Sequence, residues 1–251
     1  MNYKRPIVLS IAGFDPSAGA GILADIKVFE MHKVLGMGVC TSITYQNEID
    51  FVGLSWIESE SIEKQLAILF EKYTINYVKI GLVKGLMELD AILDFLILKN
   101  SGIKIIWDPI LKASAGYDFH NVIDHELLIK ILKKIDMLVP NLQEIKQLNP
   151  GGLAPAVSAK KLSKYCKVFL KGGHSNTTIA EDILFVDGLS YSFSQEKIEN
   201  GEKHGSGCVL SASLLSNLSL GYEVVEACRK AKNYTSGFLS SNAGLLGYQN
   251  L

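Results

Sequence analysis

The chain is poor in the residues that build small stapled or metal-held scaffolds. Its 251 residues include four cysteines, at positions 40, 166, 208 and 228, and no CxxC pair. The five histidines form no HxxxH pair, so zinc and disulfide frameworks are both excluded as organising principles. Charge of one sign is also missing. With 25 basic and 26 acidic residues the net charge is -1, which offers no broad field for nucleic acid or an anionic membrane. Any phosphate binding must therefore be local. No GxxxxGK[ST] stretch occurs, so a P-loop is absent. No segment is long enough to span a bilayer. The N-terminus MNYKRPIVLSIAGFDP has the outline of a signal peptide, but Gly13 and Asp15 interrupt the apolar run after about seven residues, and it reads as a first buried strand. The sequons at Asn176, Asn217 and Asn233 are then chance matches, and the expected location is the cytosol.

What is present is a 48% hydrophobic chain whose short β-rich runs alternate with longer amphipathic segments. That pattern predicts an α/β fold with a mostly parallel sheet covered by helices, in one domain over residues 1–251. Strands are expected at Ile7–Ile11, Val39–Thr44, Tyr77–Ile80, Ile103–Trp107, Met137–Val139 and Val168–Leu170. Helices are expected at Ile22–Val34, Ser61–Tyr73, Leu86–Lys99, His125–Ile135, Gln143–Leu148, Ala156–Tyr165, Cys208–Leu218 and Glu223–Ser240. Asp187-Gly188, between the alternating runs Asp182–Val186 and Leu189–Phe193, signals a late antiparallel hairpin. Asn149-Pro-Gly-Gly152 reads as a loop between two helices.

The most informative stretch is His204-Gly-Ser-Gly-Cys208, which opens into the apolar and small-residue run Val209–Leu220. Gly205, Ser206 and Gly207 can turn backbone N–H groups toward an anion, and the helix that follows adds its positive end. Cys208, in the first helical turn, is expected to have a lowered thiol pKa there. Phosphoryl or acyl transfer would use such a site. A glycine loop that merely starts a helix, with a buried apolar cysteine, is the plainer alternative.

In an open α/β sheet the ligand crevice lies beyond the carboxyl ends of the strands. The first strand leads into the glycine-rich loop Gly13–Gly21, which contains Ala20 and runs on to Asp25, and which could wrap a small molecule. The second leads to Gln46, whose amide could pair with an exocyclic amine and a ring nitrogen, or could simply bond backbone in a turn. Later strands lead to Asp108 and then to Asn141 and Glu144, spaced to share one face of a first helical turn. Oxygen ligands of this kind suit Mg²⁺ held largely through water and substrate phosphates, while the competing reading is a helix cap made by Asn141 with Glu144. Lys171, in Lys171-Gly-Gly-His174, could be a point charge for a nucleotide phosphate, or an exposed lysine in a tight turn.

Taken in order, GFDPSAGAGILAD, TYQNE, VKIG, WDP, VPNLQE, LKGGH and HGSGC resemble the hydroxymethylpyrimidine/phosphomethylpyrimidine kinases of thiamine biosynthesis, within the ribokinase-like superfamily. The resemblance covers nearly the whole chain. It implies a three-layer α/β/α fold, usually dimeric, that uses ATP and Mg²⁺. By the same resemblance Gln46 reads the aminopyrimidine, with Asp25, Ala20 and Gly13 around it. Gly205, Ser206 and Gly207 form the anion hole, Cys208 stands where the family's proposed base stands, and Lys171, Asn141, Glu144 and Asp108 manage ATP, with Asp108 and Glu144 toward the metal. The chain departs from the family pattern at Ser206, in place of threonine, at Leu82, in place of methionine after KIG, and at Leu23 in GILAD. It also stops soon after Gly247, which is expected to weaken a nucleotide-side or subunit contact. As a base, Cys208 would matter more for phosphorylating an alcohol than for phosphorylating a monophosphate. The alternatives are a pyridoxal or pyridoxine kinase of the same superfamily, and a pyrimidine-binding sensor with little turnover.

Overall fold

The computed structural model describes residues 5–111, 123–149, 151–173, 178–199 and 201–250. Pro150, His174 and Asn176, each named above, lie outside the described residues. The chain starts with β1 (Ile7–Phe14), α1 (Gly21–Met31), β2 (Leu35–Gln46), β3 (Phe51–Trp56) and α2 (Ser59–Lys72). It continues through β4 (Tyr77–Ile80), α3 (Leu86–Lys99), β5 (Lys104–Trp107), α4 (His125–Leu132), β6 (Met137–Leu138), α5 (Leu142–Leu148) and α6 (Pro155–Leu162). β7 (Lys167–Leu170), β8 (Ile179–Val186), β9 (Leu189–Glu196), α7 (Ser206–Ser219) and α8 (Val224–Leu239) complete it.

All the strands join one sheet in the order β3-β2-β1-β4-β5-β6-β7-β8-β9. β2, β1, β4, β5, β6 and β7 run parallel, β8 and β9 form the expected late hairpin, and its Asp187-Gly188 turn has positive φ at both residues, 51° and 78°. Alternation along the strands divides the core in two. Leu9, Ile11 and Val78 pack with Ile62 of α2, Leu89 and Leu93 of α3, Ile131 of α4, Ile145 of α5 and Ala159 of α6. Val8, Ile106 and Phe169 pack on the other face with Val28 and Phe29 of α1, Val209 and Leu214 of α7, and Ala227 and Ala231 of α8. The result is the expected three-layer α/β/α arrangement. Among the described residues no helix is long and apolar enough to cross a membrane.

Two expectations near the N-terminus change. The helix expected to reach Val34 stops at Met31, and β2 begins at Leu35 rather than at Val39. Lys33 takes φ 58°, and Val34 turns into the core as Leu35 pairs with Ile7. Gly36 and Gly38 are strand residues beneath α1. A β-carbon at Gly36 would come within 2.7 Å of the Phe29 ring, and one at Gly38 within 2.8 Å of Ile22. They allow close helix-on-sheet packing, a use of glycine that pattern reading takes for a turn. The second change is β3, which sequence reasoning missed. It pairs antiparallel with the end of β2 through a short turn, so the sheet carries an antiparallel pair at each side.

Candidate active site

The parallel strands deliver their successors to one rim. β1 changes register after Ala12, and Gly13 sits where a β-carbon would lie 2.7 Å from the buried Ser42 hydroxyl, so only glycine lets β1 and β2 approach there. The loop beyond it is organised by Asp15, whose carboxylate accepts from Ser17 N (2.9 Å), Ser17 Oγ (2.8 Å) and Ala20 N (2.8 Å). Ala20 is the N-cap of α1. Gln46 ends β2 half-buried at the same rim, and Leu82 follows β4 with its carbonyl held by the Thr41 hydroxyl.

Gly205 is the N-cap of α7, with φ 74°, and no side chain caps the helix. A β-carbon at Gly205 would collide with the Gly19 carbonyl, so the two glycine-rich loops meet backbone to backbone. Without a side-chain cap the first turn points N–H groups and the positive helix end toward the rim, with Ser206 N making a long 3.4 Å bond to the Lys203 carbonyl. Lys171, at the end of β7, reaches this turn: its ammonium stands 3.5 Å from where a β-carbon at Gly207 would lie. The ammonium donates to Asp108 Oδ1 at 2.5 Å and lies 3.8 Å from Glu144 Oε2. Lys171 is buried, so it is not an exposed turn lysine. Ser211 of α7 donates to Asp108 Oδ2 at 2.8 Å and thereby ties that carboxylate to α7.

Asn141 and Glu144 make a full capping box on α5. Asn141 Oδ1 accepts from Gln143 N and Glu144 N, and Glu144 Oε2 accepts from Asn141 N at 2.6 Å. The capping reading of this pair is therefore realised, and Glu144 also faces Lys171. Burial pushes the Glu144 carboxyl up to about 7, with Lys171 opposing and Asp108 reinforcing the shift.

Two expectations are corrected. Cys208 does not have a lowered pKa: burial pushes the thiol up to about 11, against the nearby Lys79 ammonium, so it is protonated at neutral pH. Desolvation of the buried thiol outweighs the field of the helix start. Asp25 does not face a pocket. It is fully buried, held by Lys79 Nζ at 2.7 and 2.8 Å and by the Ser10 hydroxyl at 2.5 Å. Burial pushes its carboxyl up, and the carboxylate in turn holds the Lys79 ammonium above its usual range against burial. This pair lies behind Cys208. Lys79, Ser10, Ser211, Asp15 and His204 were missed as partners of the site. Lys79 carried one available signal, a charge inside the apolar run Tyr77–Ile80.

The mostly parallel sheet between helical layers is the fold of the ribokinase-like kinases, and a glycine turn facing a buried lysine and two carboxyl groups sits at its rim. A phosphomethylpyrimidine kinase family model matches residues 15–250, and the chain belongs to that family. It is 32% identical over 245 residues to the hydroxymethylpyrimidine/phosphomethylpyrimidine kinase of Staphylococcus aureus, covering 93% of this chain and 87% of that one. The crystal structure of phosphomethylpyrimidine kinase from Clostridium difficile superposes with a TM-score of 0.77 at 28% identity, covering 92% of this chain and 98% of that one. An ADP complex of Bacillus subtilis pyridoxal kinase superposes with a TM-score of 0.81 at 26% identity, covering 95% and 93%.

Proposed function

We propose that this chain transfers the γ-phosphoryl group of ATP to 4-amino-5-hydroxymethyl-2-methylpyrimidine, and then to the resulting monophosphate, within one domain in the cytosol. The observation that carries the reading is the placement of the Lys171 ammonium over Gly207 in the uncapped turn of α7. Phosphoryl transfer through a loose transition state needs positioning and charge stabilisation above all. The α7 N–H groups at Gly205, Ser206 and Gly207 would receive the transferring phosphoryl oxygens, and Lys171 would leave Asp108 to face them. Gln46 would read the aminopyrimidine edge, with Gly13 and Ala20 close to the ring and Asn141 on the nucleotide side.

Among the described residues no three His, Cys, Asp or Glu side chains gather as a metal cage. Asp108 and Glu144, on either side of Lys171, fit an ion that takes most of its ligands from water and phosphate, which is the habit of Mg²⁺. Bound there, Mg²⁺ would neutralise phosphate charge. Cys208 enters as a thiol, and we assign it hydrogen-bond donation and positioning rather than proton abstraction.

The outer edge of β3 and the exposed Ile43, Tyr45 and Val52 support a homodimer built on this hairpin. Sedimentation equilibrium should report a dimer that Val52→Asp dissociates. The activity itself is tested by ATP turnover with the aminopyrimidine alcohol, its monophosphate and pyridoxine compared side by side. Turnover of both pyrimidines in preference to pyridoxine is expected. Preference for pyridoxine would reassign the chain to the pyridoxal kinases, and ring binding without turnover would make it a sensor.

A further inference from the structure

His204 begins the HGSGC stretch but has no part in the chemistry above. Its side chain is 7% exposed, and Nε2 lies 2.8 Å from Oδ2 of Asp15, which is 1% exposed. Asp15 is the carboxylate that folds the β1–α1 loop by accepting from Ser17 and Ala20. Burial pushes the Asp15 carboxyl up, but the bonds from His204, Ser17 and Ala20 outweigh it and leave the carboxyl below its ordinary range. It therefore accepts, and the His204 Nε2–H donates.

The same imidazole packs on Gly19, where any β-carbon would collide with it. The His204 backbone N–H donates to the Leu245 carbonyl at 2.9 Å, and Leu246 lies against Gly19 as well. Three segments far apart in sequence thus meet around His204 and Gly19: the acceptor-side loop through the imidazole, the segment around Leu245 through the His204 backbone N–H and the Leu246 side chain, and the residue preceding the left-handed turn at Gly205. We propose that Asp15 and His204 form a positioning pair that couples the acceptor-side loop to the anion hole, so that occupancy of the ring pocket sets the Gly205 turn for nucleotide phosphates. The proposal rests on the kinase reading and adds a residue pair to it.

Coupling of this kind is reciprocal and is read as a ratio of affinities. The full chain is titrated with β,γ-methylene ATP, with and without the aminopyrimidine alcohol. Wild type is expected to bind the analogue at least about fivefold more tightly when the alcohol is present. His204→Met, which removes the donor at similar volume, should bring that ratio to about one and lower kcat about tenfold. His204→Gln, which can place an N–H near the Nε2 position, should keep the ratio and most of the kcat. Asp15→Asn removes the acceptor charge from the other loop and should behave as His204→Met does, so it serves if that variant fails to fold. A wild-type ratio of one, or a folded His204→Met or Asp15→Asn with the wild-type ratio, overturns the proposal. If wild type turns over no aminopyrimidine, the pyrimidine-substrate reading fails on its own, and the same ratio is measured with pyridoxine as the second ligand under the same criteria.

Discussion

Two buried lysine–aspartate pairs stand a short way apart in this fold and do different things. Lys79 and Asp25 are sealed: both side chains are 0% exposed, both carboxylate oxygens contact the ammonium, and Ser10 adds a further bond. Lys171 and Asp108 are open toward the site. Lys171 is buried too, with a side chain 10% exposed, but a second carboxyl group stands at 3.8 Å from its ammonium and the first turn of α7 lies beside it. A sealed pair is satisfied internally and joins α1 to β4. In the proposed reaction the second pair holds a cation whose partner is exchanged for a phosphate. On that proposal identical residue types carry architecture in one place and chemistry in the other, and the surroundings decide which.

The largest effect that tests this contrast is on stability. Lys79→Met strands Asp25 in the core and should cost about 3–5 kcal/mol in urea unfolding, whereas Lys79→Met combined with Asp25→Leu should recover much of the loss. Full recovery of stability together with full activity would show that the sealed pair has no effect on the site. Next comes Lys171→Met, which should lower kcat/KM by about 10²–10³-fold at a smaller stability cost. A stability loss as large as that of Lys79→Met, with little change in turnover, would erase the distinction between the pairs.

Cys208 sits between the two pairs, with its thiol near Lys79 and its backbone in the α7 turn. Cys208→Ala should slow both phosphorylation steps about equally, by about tenfold, with Cys208→Ser retaining more, because the loss is that of a hydrogen-bond donor. A loss concentrated on the alcohol step would restore the role of base. The smallest effect is a slope. Without nucleotide or metal, folded Glu144 keeps its proton to about pH 7, while an unfolded glutamate releases it near 4.5. The native state then binds more protons across that interval, so this group makes stability fall as pH rises through it. Glu144→Gln should flatten the dependence by on the order of 1 kcal/mol between pH 5 and 7 in chemical unfolding. An unchanged slope would mean that Glu144 is ionised throughout and that Lys171 has two full counter-charges.

Much of this was legible in the chain. The β–α alternation announced the parallel sheet, Asp187-Gly188 announced the hairpin, and the residues just past each apolar run proved to share one rim. What escaped notice had weak or misleading local signals. β3 is a short, half-buried edge strand containing Gly53, and the glycines of β2 look like turn residues until α1 is seen lying on them. Lys79 and Asp25 are 54 residues apart, and nothing local pairs them.

By itself the sequence determined the order of the helices and of the strands other than β3, the glycine turn at 205–207, and the set of polar residues that arrive at the carboxyl ends of the strands, because periodicity and turn chemistry are local properties. Only the tertiary structure decided which of those groups are buried and what each one faces. Burial is set by elements distant in the chain, and it is burial that raised the Cys208 thiol instead of lowering it and withdrew Asp25 into the core, while the tertiary fold put the Lys171 ammonium between two carboxyl groups beside the first turn of α7.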